Sequence, residues 1–161
     1  KIIQPKRVLE VGTFSGYSTL CFALASNDDC MIDTVEAMEE YKDFLIDMFS
    51  KNNVINKIKL HFGQGLDVIE KLDFKYDLVF IDAEKVHYPN YFSLLASKIN
   101  VGGVLLADYI LWYGKVALEN QKDKETLAIR EFNEMVTKDN RFSNFILPIR
   151  DGIMVARKER E

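Results

Sequence analysis

Val8-Leu9-Glu10-Val11-Gly12-Thr13-Phe14-Ser15-Gly16-Tyr17-Ser18 runs from an apolar strand through a glycine turn into a helix start. That order makes a nucleotide-type cofactor site. Gly12 lets the backbone leave the strand sharply, Gly16 allows close helix packing, and Ser15 or Ser18 can cap a helix whose free amides face the ligand.

The spacing narrows the ligand. A dinucleotide fingerprint needs G-x-G-x-x-G, with the second glycine letting backbone approach a pyrophosphate. Phe14 fills that second position here, which disfavours NAD and FAD. Glu10, Gly12 and Gly16 instead read E-x-G-x-x-x-G, with a carboxylate beside the turn that can pair with the amino group of an amino-acid-bearing cofactor such as S-adenosylmethionine. The glycines alone fit an ordinary strand-to-helix turn equally well. A second acid tips the balance: Glu36 ends the next apolar strand, about 20 residues beyond the turn, where a carboxylate can grip a ribose diol.

Outward from this segment, short β-rich runs alternate with helical patterns. Strands are predicted at Arg7–Gly12, Met31–Glu36, Ile58–Phe62, Tyr76–Asp82, Gly103–Ile110, Asn144–Ile149 and Ile153–Ala156. Helices are predicted at Tyr17–Ala25, Met38–Asn52, Leu66–Lys71, Tyr88–Ser97 and Lys124–Thr137. The pattern is that of an α/β fold, a doubly wound, Rossmann-like sheet of seven strands with its site at the carboxyl ends of the parallel ones. The last two strands flank Arg150-Asp151-Gly152, a hairpin-sized turn, so the last strand is expected to be antiparallel. Glu119–Glu125 is the polar stretch expected to form a mobile loop.

Composition bounds the rest. The 161 residues are 48% hydrophobic, enough for one core, and a single domain over 1–161 is expected. With 21 Lys and Arg against 25 Asp and Glu, the net charge of −4 disfavours extended nucleic-acid binding. Cys21 and Cys30 form neither a C-x-x-C pair nor a disulfide framework, so a reducing cytoplasm fits. No uncharged run approaches the roughly 20 residues of a membrane span, and no membrane partner is expected.

Two further carboxylates are expected at the sheet edge. Tyr76–Asp82 delivers Asp82, followed by Ala83-Glu84-Lys85, and Val104–Asp108 delivers Asp108 beside it. Such a pair suits Mg²⁺ or a similar hard divalent cation, and Lys85 can serve as general base if nearby positive charge makes it a better proton acceptor. A strand-end aspartate that caps a helix and a solvated lysine satisfy the same spacing. Trp112 and Tyr113 are candidates for the wall of an acceptor pocket. His61 reads as strand packing and His87 follows the Lys85 loop, and neither is assigned a role.

Taken together, Leu9–Leu20, F-I-D-A-E-K at Phe80–Lys85, G-G-V-L-L-A-D at Gly102–Asp108, L-W-Y-G-K-V at Leu111–Val116 and L-P-I-R-D-G at Leu147–Gly152 resemble the cation-dependent class I O-methyltransferases, the caffeoyl-CoA and catechol group and their bacterial relatives. The resemblance implies that Glu10, Gly12, Thr13 and Ser18 hold the methionine part of S-adenosylmethionine, Glu36 the ribose and Gly65 the adenine side. It implies that Asp82 touches both cofactor and metal, that Asp108 is a second metal ligand, and that Lys85 is the catalytic base. The activity implied is methylation of a hydroxyl on a small catechol-like acceptor, metal-assisted, in a cytoplasmic homodimer. Methylation of a 5-hydroxyuridine in transfer RNA and a non-catalytic cofactor-binding role are the alternatives, transfer RNA being the less favoured partner. The family's N-terminal helices are absent from this sequence. Three positions depart from the family pattern: Tyr109 where an asparagine ligand follows the second aspartate, Gln64 where Asp is common, and Arg150 within L-P-I-G-D-G.

Overall fold

Val8, Leu9 and Val11 are apolar and sit in strand β1 (Arg7–Val11) with neighbours on both sides, which is why apolar residues occupy both of its faces, broken only by Glu10. The computed structural model describes residues 2–161. Around β1 lie β2 (Met31–Glu36), β3 (Ile58–Phe62), β4 (Tyr76–Ile81), β5 (Ile99–Ala107), β6 (Phe142–Leu147) and β7 (Ile153–Lys158), in the order β3-β2-β1-β4-β5-β7-β6. The first five are parallel, and β7 runs antiparallel to both β5 and β6. This is the expected seven-stranded, mostly parallel sheet.

Helices cover both faces. α1 (Tyr17–Ala25) and α2 (Lys42–Lys51) bury Ala23, Leu45 and Phe49 against Val8 and Ile32 on one face. α3 (Gly65–Lys71), α4 (Tyr88–Leu95) and α5 (Lys124–Lys138) bury Ile69, Phe92, Leu95, Ile129 and Phe132 on the other. Phe132 is fully buried, its ring 5.3 Å from that of Tyr88 and 6.0 Å from that of Phe92 in edge contacts.

The register brings the functional edge together. Val11 pairs with Val35 on one side and Ile81 on the other, while Ile81 pairs with Ala107. The residues that follow these strands therefore emerge along one line. Two glycines make the turn at its centre: a Cβ on Gly12 (φ +105°) would lie 2.1 Å from the Asp82 carbonyl oxygen, and one on Gly16 (φ +73°) would strike Met48, Leu45 and Phe49 of α2.

Some local expectations are corrected. Gly16, which has no side chain, stands at the N-cap of α1 in place of Ser15 or Ser18, and the Ser18 hydroxyl turns back to Glu10. β5 begins at Ile99, four residues before Gly103, and crosses both glycines with a register irregularity against β4. Arg130 of α5 donates to the carbonyls of Lys115, Val116 and Leu118, just before the polar stretch, and to that of Gln121 within it. Asp123, also within it, caps α5 by accepting from the Thr126 amide.

Candidate active site

Glu36 closes β2 and is 7% exposed. Its Oε2 accepts from the Phe14 amide at 2.7 Å and its Oε1 from the Met38 amide at 2.9 Å. A carboxylate has about four acceptor positions, so two remain for a ligand diol. Beside it runs a cavity of about 200 Å³ lined by Gly12, Glu36, Met38, Gly65, His87 and Tyr91, among others. Gly65 suits a close approach here, since a Cβ would meet the Tyr91 hydroxyl at 2.6 Å. Burial pushes the Tyr91 phenol up, and the charge of Glu84 adds to the effect, so Tyr91 faces the cavity as a neutral group.

Glu10 lies beneath this cavity. It is fully buried, and the hydroxyls of Ser18, Thr19 and Thr34 all donate to its carboxylate. Burial pushes its carboxyl up, while those hydroxyl contacts pull it down. In this arrangement Glu10 is enclosed, and it bears on a ligand by orienting Ser18 and the first turn of α1. Thr13, also buried, shares a 2.6 Å hydroxyl contact with Thr34 and continues the same network.

At the ends of β4 and β5 stand Asp82 and Asp108. The Asp108 amide donates to the Ile81 carbonyl at 3.0 Å, which holds the two strand ends side by side. Burial pushes the Asp108 carboxyl up and Asp82 adds to it, against the Tyr109 amide, Lys85 and Arg150. Lys85, 9% exposed, donates from Nζ to Asp82 Oδ1 at 3.0 Å and to the Tyr88 hydroxyl at 2.6 Å. Tyr88 in turn is placed to donate to the Ile81 and Asp108 carbonyls. Its phenol is raised well above the ordinary range, first by burial and then by the two aspartates. The charge beside Lys85 is thus a carboxylate.

The segment after Asp108 is aromatic and strained. Tyr109, Trp112 and Tyr113 have φ of 62°, 48° and 55°, a region that bulky residues enter at a cost of about 1–3 kcal/mol each. Their ring centroids lie 5.4–6.5 Å apart, and Lys85 Nζ sits 5.2 Å from the Tyr109 ring centroid. No group of three or more His, Cys, Asp or Glu side chains placed to hold a metal occurs among the described residues. The donor set explains this: Asp82 is engaged by Lys85, and the neighbour of Asp108 is a phenol. Those residues do not fit a hard divalent cation.

The structure thus gathers Gly12, Glu36 and Gly65 along one cavity and Asp82, Lys85 and Asp108 at the adjoining edge, with Glu10, Thr13 and Ser18 forming the support below. Tyr88 and Tyr91 belong to the site as well and were missed from sequence, the aromatic start of α4 after Lys85 being the signal available, while His87, placed after the Lys85 loop without a role, lines the cavity. His61 forms a hydrogen bond with Asp33 at 2.8 Å as well as packing in the strand. No helix among the described residues is long and apolar enough to cross a membrane.

A family model described as O-methyltransferase matches residues 1–159. The caffeoyl-CoA O-methyltransferase of Stellaria longipes is 31% identical over 169 residues, covering 98% of this chain and 70% of the plant protein. Among solved structures, the O-methyltransferase from Bacillus cereus in complex with SAH superposes with a TM-score of 0.91 at 26% identity, covering 98% of this chain and 76% of that one. The O-methyltransferase TomG from Streptomyces achromogenes, involved in tomaymycin synthesis and solved with SAM, gives the same TM-score and identity over 98% of this chain and 74% of its own.

Proposed function

The chain belongs to the O-methyltransferase family, as a class I S-adenosylmethionine-dependent enzyme of the caffeoyl-CoA O-methyltransferase-like group, and from that premise we propose that its acceptor is a small catechol-like aromatic. The observation that carries this reading is the enclosed Lys85 amine, set between Asp82, Tyr88 and the Tyr109 ring at the edge that adjoins the Glu36 cavity. Aromatic walls and a proton-accepting amine at one edge suit a flat phenolic acceptor.

S-adenosylmethionine, when bound, supplies an electrophilic methyl group on a sulfonium. Glu36 is assigned to the ribose diol, Gly65 and the cavity walls to the adenine side, and Gly12, Thr13 and Ser18 to the methionine part, with Glu10 holding Ser18 in place. Asp82 borders the cofactor and acceptor sides. Lys85 takes the proton of the acceptor hydroxyl as its own shared proton passes to Asp82, so that the Lys85–Asp82 pair acts together as the base. Tyr88 fixes the direction of that amine. Most of the acceleration then comes from holding acceptor oxygen and methyl carbon together. The Mg²⁺ assistance that the resemblance implies is not carried into this proposal, because the donor set does not fit it.

The test is transfer of labelled methyl from S-adenosylmethionine to a 3,4-dihydroxy aromatic acid. Appearance of the mono-O-methylated product is expected. Retained cofactor binding with no transfer to any vicinal dihydroxy aromatic would remove the catechol-like acceptor.

A further inference from the structure

Two carboxylates side by side need counter-charge, and the chain brings its own. Lys85 meets Asp82 directly, at 3.0 Å. Arg150 stands on the turn before β7, which is bonded to the segment after Asp108: the Ile110 amide donates to the Gly152 carbonyl and the Leu111 amide to that of Asp151. The Arg150 charge acts on Asp108. The remaining neighbour, Tyr109, turns an aromatic ring toward Lys85 and brings a phenol where an amide oxygen would be a better ligand.

Backbone conformation adds an independent observation. Tyr109 (φ 62°) and Arg150 (φ 52°) both occupy the left-handed region, where Asn and Gly sit with least strain. A chain that carries a large ring and a guanidinium at just these two places bears strain beside its carboxylate pair, and strain kept at a site motivates a functional reading of it.

We infer that Lys85 replaces a divalent cation as the counter-charge at the Asp82 and Asp108 edge, so that methyl transfer here proceeds without added metal. The inference rests on the methyl-transfer reading of the same site. A hard cation entering this edge has to displace Lys85 from Asp82 and finds two carboxylates where it takes about six oxygens. In the transfer, the acceptor O–H bond breaks and its proton goes to Lys85 Nζ while a Lys85 N–H proton passes to Asp82 Oδ1. The oxygen lone pair forms the bond to the methyl carbon as the carbon–sulfur bond breaks, its electron pair remaining on sulfur. Lys85 thus stays cationic throughout.

The experiment is a titration of the full chain with Mn²⁺, with S-adenosylmethionine present, following the loss of the free-ion paramagnetic resonance signal. Wild type is expected to leave Mn²⁺ free at concentrations about tenfold above the protein, and Tyr109→Asn with Arg150→Gly is expected to bind it about tenfold or more tightly than wild type. Both replacements suit their backbone, so folding is retained, and each single variant gives a smaller gain. Tight one-to-one uptake by wild type would overturn the inference, as would a double variant that gains nothing while still binding S-adenosylmethionine. Failure to methylate a dihydroxy aromatic would sink the acceptor reading and leave this titration to decide the cation. With an active acceptor, transfer unchanged by chelator is the matching result, and its abolition by chelator the opposing one.

Discussion

Glu36 does two jobs with one carboxylate, holding the Phe14 and Met38 amides and facing the cavity with its remaining lone pairs. Charge-assisted bonds of this kind are each worth about 1.5–3 kcal/mol, so Glu36→Ala should weaken S-adenosylmethionine binding by about ten- to a hundredfold in calorimetry. Unchanged affinity would take Glu36 out of the site. Lys85→Met should leave that affinity intact and cut transfer by about 10²- to 10⁴-fold, as loss of a positioned base does. Transfer at the wild-type rate would instead make Lys85 a structural partner of Asp82. Glu36, Asp82 and Asp108 were legible in the sequence because parallel strands all release their carboxyl ends at one edge, so an acid after an apolar run has a known destination. The enclosure of Glu10 was not, since it depends on hydroxyls from α1 and β2 that no local spacing reveals. Tyr88 was missed for a similar reason: its role comes from backbone carbonyls of two strands converging on one phenol.

At the scale of elements, α5 supports the site from behind. Phe132 packs edge-on against Tyr88, and Asn133 donates to the Ile110 carbonyl just past Asp108. Phe132→Ala leaves a cavity under Tyr88 and should cost about 3–5 kcal/mol, a fall of about 10 °C in melting temperature for a domain of this size. Because Tyr88 directs Lys85, transfer should fall at temperatures where the variant is still folded. A variant with lowered melting temperature and full activity would show that Lys85 is held without this support. The helix was legible from its apolar spacing, with Ile129 and Phe132 inward, and its start from Asp123. The stretch before it read as a mobile loop because its residues are polar. Arg130, nearly two turns into the helix, holds the carbonyls of Lys115, Val116 and Leu118 that lead into that stretch and of Gln121 within it. The start of β5 was obscured by Gly102 and Gly103, which weaken strand patterning while relieving crowding: a Cβ on Gly103 would meet the Asn100 and Tyr76 carbonyl oxygens at 2.8 and 3.0 Å.

Over the whole molecule the alternation of strand and helix carried the architecture, because each apolar run must be covered on both faces and only a doubly wound sheet does so with short connections. What the pattern left unread is the polar tie across the sheet. Asp33, 2% exposed, accepts from Arg7 at 3.0 Å and Tyr76 at 3.2 Å and contacts His61 at 2.8 Å, so one carboxylate on β2 joins β1, β3 and β4. Burial alone would push Asp33 up, yet the His61 hydrogen bond and the charges of His61 and Arg7 outweigh it and hold the carboxyl below its ordinary value of 3.8. The sign follows from linkage: the folded state releases this proton more readily than the unfolded chain, so the contribution is complete above about pH 4 and is lost as pH falls through the lower folded value. Asp33→Asn should therefore cost about 2 kcal/mol near neutral pH, where it leaves two enclosed donors with a weaker partner. In denaturant titrations run from pH 6 down to pH 2, the wild-type advantage over the variant should shrink below pH 4, and a constant difference across that range would show that the ionised carboxylate contributes nothing to holding the four strands together.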